Sequence, residues 1–174
     1  LPEIKRSLLE DSQISIFLGH NTVLTFQQIP AAVWNPVRQR IKSAGSRLRI
    51  NDASFLAYSL LDALVDGYYD ILEYFSDRAE ELEDQVLGHV EPKLISDIHQ
   101  LKRNLLHLHR VLWPMRELVS SLQRDPHECM SETSLVYLRD LYDHVVQNIE
   151  IIETYREVAS DLTDTYMSSL SNRM

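Results

Sequence analysis

Seven carboxylates, Asp62, Asp66, Asp70, Glu73, Asp77, Glu80 and Asp84, follow one another at intervals of four, four, three, four, three and four residues. On an α-helix that spacing lays them along one face, with Arg78 the only base nearby. Like charges one turn apart cost roughly a few tenths of a kcal/mol per pair, and opposite charges gain about as much. A sequence answering only to helix stability would interleave lysine. Two readings stand side by side. One is a solvated face whose repulsion a basic neighbour relieves. The other is a surface that attracts hydrated divalent cations. Hard cations take oxygen ligands, and Mg2+ keeps most of its waters and needs only one or two carboxylates.

A second group gathers at Asp140, Asp143 and His144. Asp140 and His144 are four apart and share a helix face, which suits a metal but is more often an ordinary surface pair. Asp164 lies near the C-terminal end of the sequence. Other chemistry is missing. There is no HExxH, no cysteine cluster, no GxSxG and no glycine-rich phosphate loop. Cys129 stands near His127, and the pair reads as an inert loop thiol beside a histidine. Trp34 and Trp113 read as core or hinge anchors. Nothing here marks an enzyme.

The elements that carry these residues are long helices. From Ser134 to Met174 there is no Gly and no Pro. Leu138, Leu141, Val145, Ile149, Ile152, Tyr155, Ala159, Leu162 and Tyr166 recur in steps of three and four, one apolar stripe on one side of a helix. At about 1.5 Å per residue the rod is on the order of 60 Å long, more than a domain of this size needs. With no C-cap glycine and no polar tail it reads as a helix cut in mid-course. It starts somewhere between Ser131 and Ser134, where no capping box shows. A second helix is predicted from an Asn51 N-cap to about Leu87, with Gly88 as C-cap, and a third from Pro92 to about Arg124. The short loop between those two makes an antiparallel pair. Pro114 should kink the latter or leave a carbonyl unpaired.

Upstream, residues 1–12 are mixed and read as a short helix. Ile14–Leu18 and Thr22–Phe26 flank the turn residues Gly19, His20 and Asn21 and read as a β-hairpin. Two strands alone are marginal in water, so the hairpin belongs to a larger sheet most of which would precede Leu1. Asn35-Pro36 opens a short helix to about Ser43, whose Arg38, Arg40 and Lys42 read as a solvated face. The fold class expected is mainly α: a small β-hairpin remnant of an α/β domain, then a long antiparallel helix pair and a very long stalk helix. The segments are 1–50, 51–125 and 126–174.

The net charge of −9 is unevenly spread. Residues 52–91 hold eleven acids and one base, and residues 125–174 hold ten acids and three bases. Such blocks suit cations and repel nucleic-acid phosphates. Residues 92–124, with six bases and two acids, should pair with the acidic helix before them. One cysteine excludes an internal disulfide framework, and no run approaches the roughly twenty apolar residues of a membrane span.

Several phrases in order carry a resemblance: Tyr58-Ser-Leu-Leu-Asp62-Ala-Leu-Val-Asp66, His99-Gln-Leu-Lys-Arg-Asn104, Leu112-Trp-Pro-Met-Arg-Glu117, Leu138-Arg-Asp140-Leu-Tyr-Asp-His144 and Tyr166-Met-Ser-Ser-Leu-Ser-Asn172. From about Ile14 onward the chain closely resembles the CorA family of magnesium and cobalt transport proteins. The resemblance implies a homo-oligomer, a pentamer in the full-length protein, anchored in the cell inner membrane by C-terminal spans that this sequence lacks, with this region on the cytoplasmic side. It implies Mg2+ as both regulatory and transported ion, with Co2+ as a second cargo, and no nucleic-acid partner. It assigns a regulatory ligand role to Asp140, a second-site role to Asp62 with Asp66 as companion, and a place for Asp164 in an acidic ring near the inner pore mouth. Partner acids come from a preceding region outside this sequence. Gating would follow from Mg2+ held at carboxylates between subunits. Two other readings remain open: the corresponding region of a ZntB-like zinc transporter, and a helical scaffold whose acidic helix binds a basic partner.

Overall fold

The computed structural model describes residues 3–5, 8–10, 12–28, 30, 32–88 and 91–173. Two small antiparallel hairpins come first: β1 (Glu3–Lys5) with β2 (Leu8–Glu10), then β3 (Ile14–Leu18) with β4 (Val23–Gln27). The first replaces the helix expected over residues 1–12. The second matches the expected hairpin, with Leu18 paired to Val23 across the turn and Ile14 to Gln27 at the open end. Its alternation works as the pleat requires. Ile14, Ile16 and Val23 pack against the helical core, while Phe17, Leu24 and Phe26 are exposed on the other face. Phe17 and Phe26 meet there edge to face at 5.8 Å.

A 3-10 turn at Ala32–Trp34 leads into α1 (Asn35–Lys42), with Pro36 in its first turn, where a missing N–H costs nothing. Trp34 is buried, and its indole N–H donates to the carbonyl of Leu60 at 3.3 Å. The link through Arg47–Arg49 is itself one helical turn, α2 (Arg47–Ile50).

Three long helices make the body: α3 (Ala53–Gly88), α4 (Pro92–Arg124) and α5 (Glu132–Arg173). The expected boundaries hold to within a residue or two, and two caps differ. Asp52, not Asn51, caps α3: the Phe55 N–H donates to its carboxylate at 3.0 Å. Asn51 turns back and donates to the Arg47 carbonyl at 2.8 Å, closing α2. Ser131 caps α5, accepting from the Ser134 N–H at 3.3 Å, without the Glu or Gln that a capping box would need. Gly88, expected as the C-cap of α3, is instead its last helical residue. Helix α4 runs through Pro114 without a break. Pro114 and Arg110, four residues earlier, both lie on the exposed side of the helix.

The rod α5 packs along both α4 and α3, and of the three pairs α3 and α4 touch least. Contacts fix the directions. Gln123 of α4 donates to the Leu138 carbonyl, and Lys102 reaches Ser160, so α4 and α5 are antiparallel. Ser54 meets Ser134 and Asn148 meets Val65, so α3 and α5 run parallel. The stripes expected on all three helices form one seam. Phe75, Leu82, Ile98, Leu105, Leu108, Leu138, Leu141 and Ile152 are each no more than 2 % exposed, and side chains of this kind contribute roughly 1.5–3 kcal/mol each on burial. The length of α5 is therefore matched by its neighbours along nearly the whole rod. Among the described residues no helix is long and apolar enough to cross a membrane.

The ion pair joining α3 to α4 is the reverse of the pattern expected. Arg78, the lone base of the acidic block, binds Asp97 at 3.2 Å. Lys102 of α4 reaches Ser160 of α5 instead, while Arg103 and Arg116 bond to Gln100 and Glu117 within α4. Trp113 is 42 % exposed rather than a core anchor; it stacks on His109 and carries the Arg116 guanidinium 4.0 Å above its ring.

Candidate metal centre

Because α3 and α5 run side by side in the same direction, a face of one stays opposite a face of the other for several turns. Asp62 and Asp66, one turn apart on α3, meet His144 on α5. Ligand atoms from the three side chains lie within 4.8 Å of one another. Asp62 is half-buried, and Asp66 and His144 are exposed. Two oxygens and one nitrogen at that spacing can converge on one cation, with water completing the shell.

The electrostatics make the cluster more than a surface pair. Burial raises the Asp62 carboxyl above the usual aspartate range, and the neighbouring charge of Asp66 raises it further. A hydrogen bond from Tyr58 opposes this, as do the charges of His144 and Arg40. Tyr58 is held far above the usual phenol range, first by burial and then by the Asp62 charge. Its hydroxyl therefore stays protonated and donates to Asp62. Phe55 and Tyr137, with ring centroids 5.6 and 5.3 Å from that of Tyr58, fix the ring. An Arg40 charge acting on Asp62 also means that α1 is not only a solvated face.

The other expected ligands lie elsewhere. Asp140 is exposed on α5, one turn before His144; it is outside the three-residue group, though its charge bears on Tyr58. Asp164 is exposed, about seven turns beyond Asp140. Asp70, Glu73, Asp77, Glu80 and Asp84 are exposed, a solvated face. Two participants were not joined to Asp62 by sequence reasoning. Tyr58 is four residues ahead of Asp62, a spacing that could have suggested it. His144 depends on the register between two helices, which no local pattern reveals. Cys129 Sγ lies 3.7 Å from Nδ1 of His20, and its backbone N–H donates to Nδ1 of His127 at 3.3 Å.

A profile of the family described as CorA-like Mg2+ transporter protein matches residues 2–174. The chain belongs to the CorA family. It is 43% identical over 165 residues to the cobalt/magnesium transport protein CorA of Thermotoga maritima, covering 95% of this chain and 47% of that relative. Identity to the CorA protein of the same description in Methanocaldococcus jannaschii is 25% over 158 residues, 90% of this chain and 50% of the relative. The chain thus spans about half the length of these CorA relatives. Its fold matches the complete structure of the Methanocaldococcus jannaschii CorA magnesium transporter with a TM-score of 0.76 at 22% identity, over 99% of this chain and 60% of that one. The full-length CmaX protein matches with a TM-score of 0.80 at 21% identity, over 92% of this chain and 49% of that one. The mainly α architecture expected for a CorA-type chain is therefore the one observed.

Proposed function

We propose that this chain is the cation-sensing region of a CorA-type Mg2+/Co2+ transport protein, with Asp62, Asp66 and His144 as its sensor. The observation that carries the reading is a half-buried carboxyl, raised toward protonation, beside a second carboxylate and an imidazole. A bound divalent cation supplies the positive charge that this arrangement lacks. Left to themselves, Asp62 and Asp66 repel, and Asp62 is charged only at the cost of its partial burial. With both ionised and neutralised, they draw α5 to α3 through His144. Occupancy shifts the protein between states only by the difference in affinity of the two states.

In the whole protein we place Asp140 at the boundary with a neighbouring subunit of a homo-pentamer and Asp164 close to the inner pore mouth. Residues 1–50 then close an α/β domain, 51–125 form the helix pair and 126–174 the stalk, on the cytoplasmic side of the inner membrane. The relatives described as cobalt/magnesium transport proteins support Mg2+ and Co2+ as cargo. The imidazole of His144 favours a second reading, since nitrogen suits Zn2+ and Co2+ better than Mg2+; a ZntB-type zinc transporter would use it.

Calorimetric titration of the chain with Mg2+, Co2+ and Zn2+, alongside limited proteolysis, tests the proposal. Saturable binding with protection from protease, lost in the Asp62→Asn/Asp66→Asn double variant, is expected. Binding that survives in the double variant would move the sensor elsewhere.

A further inference from the structure

Asn148 stands one helical turn beyond His144 on α5 and is 1 % exposed. Its Nδ2 donates to the carbonyl of Val65, the residue before Asp66, at 3.4 Å. Its Oδ1 is buried and has no hydrogen-bond partner. The seam around it is apolar, with Val65, Val145, Ile149 and Ile152 all buried. For stability alone an amide is a poor occupant here. One long hydrogen bond is gained and one acceptor is left unpaired, whereas leucine, of similar size, would leave nothing unpaired.

A buried asparagine in a helix seam has one well-attested use, the fixing of register, because only one alignment gives the amide a partner. We infer that Asn148 is a positioning residue for the cation site: by holding the Val65 carbonyl it locks the register of α5 against α3 and so keeps His144 within ligand distance of Asp62 and Asp66. The geometry is tight enough to matter. A shift of one residue along the helix is about 1.5 Å, which would break a bond already at 3.4 Å and carry His144 off the two carboxylates. Apolar contacts around Asn148 specify that register less sharply than a directional hydrogen bond does. This inference rests on the cation reading of the Asp62–Asp66–His144 group.

The test separates register from bulk stability, because the two move in opposite directions. Asn148→Leu removes the unpaired acceptor, so without metal its melting temperature should rise by roughly 2–4 °C. Its affinity for Co2+, measured calorimetrically, should fall about tenfold, the low end of what outer partners of metal ligands cost. Asn148→Ser cannot reach Val65 and should lose affinity similarly, which keeps the test usable if the leucine variant does not fold. Unchanged Co2+ affinity in these variants, with the parent chain binding and Asp62→Asn/Asp66→Asn not binding, overturns the role of Asn148 and leaves the sensor reading intact. Affinity that falls only in step with a lowered melting temperature overturns it too, as plain loss of packing. If the parent chain binds no Co2+, both readings fall.

Discussion

Two junctions join α3 to α5, a few turns apart, and their chemistry is opposite. At the N-terminal ends, the Ser54 hydroxyl donates to Asp52 at 2.6 Å, meets the Ser134 hydroxyl at 2.7 Å and accepts from the Ser131 N–H at 3.1 Å. The Asp52 carboxyl is held below the usual range, chiefly by the Ser54 hydroxyl. Farther along, the Asp62 carboxyl is pushed above that range, chiefly by burial and then by Asp66. The first junction is completed by the chain's own donors. At the second, burial and the Asp66 charge outweigh the Tyr58 hydrogen bond and the charges of His144 and Arg40, and in the proposed function a bound cation supplies the balance. Adjacent joints of one helix pair thus differ: one is satisfied within the chain, and the other is the proposed cation sensor.

The largest effect should be on cation binding. Asp62→Asn/Asp66→Asn removes both negative charges and should abolish Co2+ binding in calorimetry, while Ser54→Ala leaves it unchanged. Equal losses in the two variants would erase the distinction between the junctions. Next comes stabilisation by the ion. At a hundred times its dissociation constant, Co2+ should add about 2.7 kcal/mol to unfolding stability, read as a rise in melting temperature that is absent in the double variant. Ser54→Ala should cost about 1–3 kcal/mol with or without metal, because it leaves buried groups of the serine knot unpaired. Asp52→Ala should cost about 1 kcal/mol as a lost N-cap.

The smallest effect carries the sign of the comparison. With its carboxyl lowered, Asp52 contributes stability that is present above the ordinary aspartate value and lost as pH falls through the lowered one. For Asp62 the carboxyl is raised, so its contribution is present below the ordinary value and lost as pH rises through the raised one. Without metal at neutral pH, Asp62→Asn should therefore melt slightly higher than the parent chain. Denaturant titrations across the acid range should show the two variants removing slopes of opposite sign.

The helices were legible from sequence because apolar residues at steps of three and four leave little choice of face, as Leu138, Leu141, Val145, Ile149 and Ile152 show. Gly19, His20 and Asn21 likewise marked the turn between β3 and β4. Residues 1–12 were not legible: three-residue strands such as Leu8–Glu10 are too short to show a period. Helix pairing was the harder gap. Charge suggested that basic α4 would cover acidic α3, yet burial of apolar stripes set α5 against both. Asp62 and Asp66 could be named from their phrase, while His144 joined them only through the parallel register of α3 and α5.

That parallel register also has a consequence in time. Helices α4 and α5 are joined by a short loop and can dock early, whereas Asn148 and Val65 are 83 residues apart in the chain. Closing so long a loop is entropically late. Asp62, Asp66 and His144, drawn from both sides of that loop, should therefore come together after the α4–α5 hairpin has formed. Ions should then slow unfolding while leaving the refolding rate nearly unchanged.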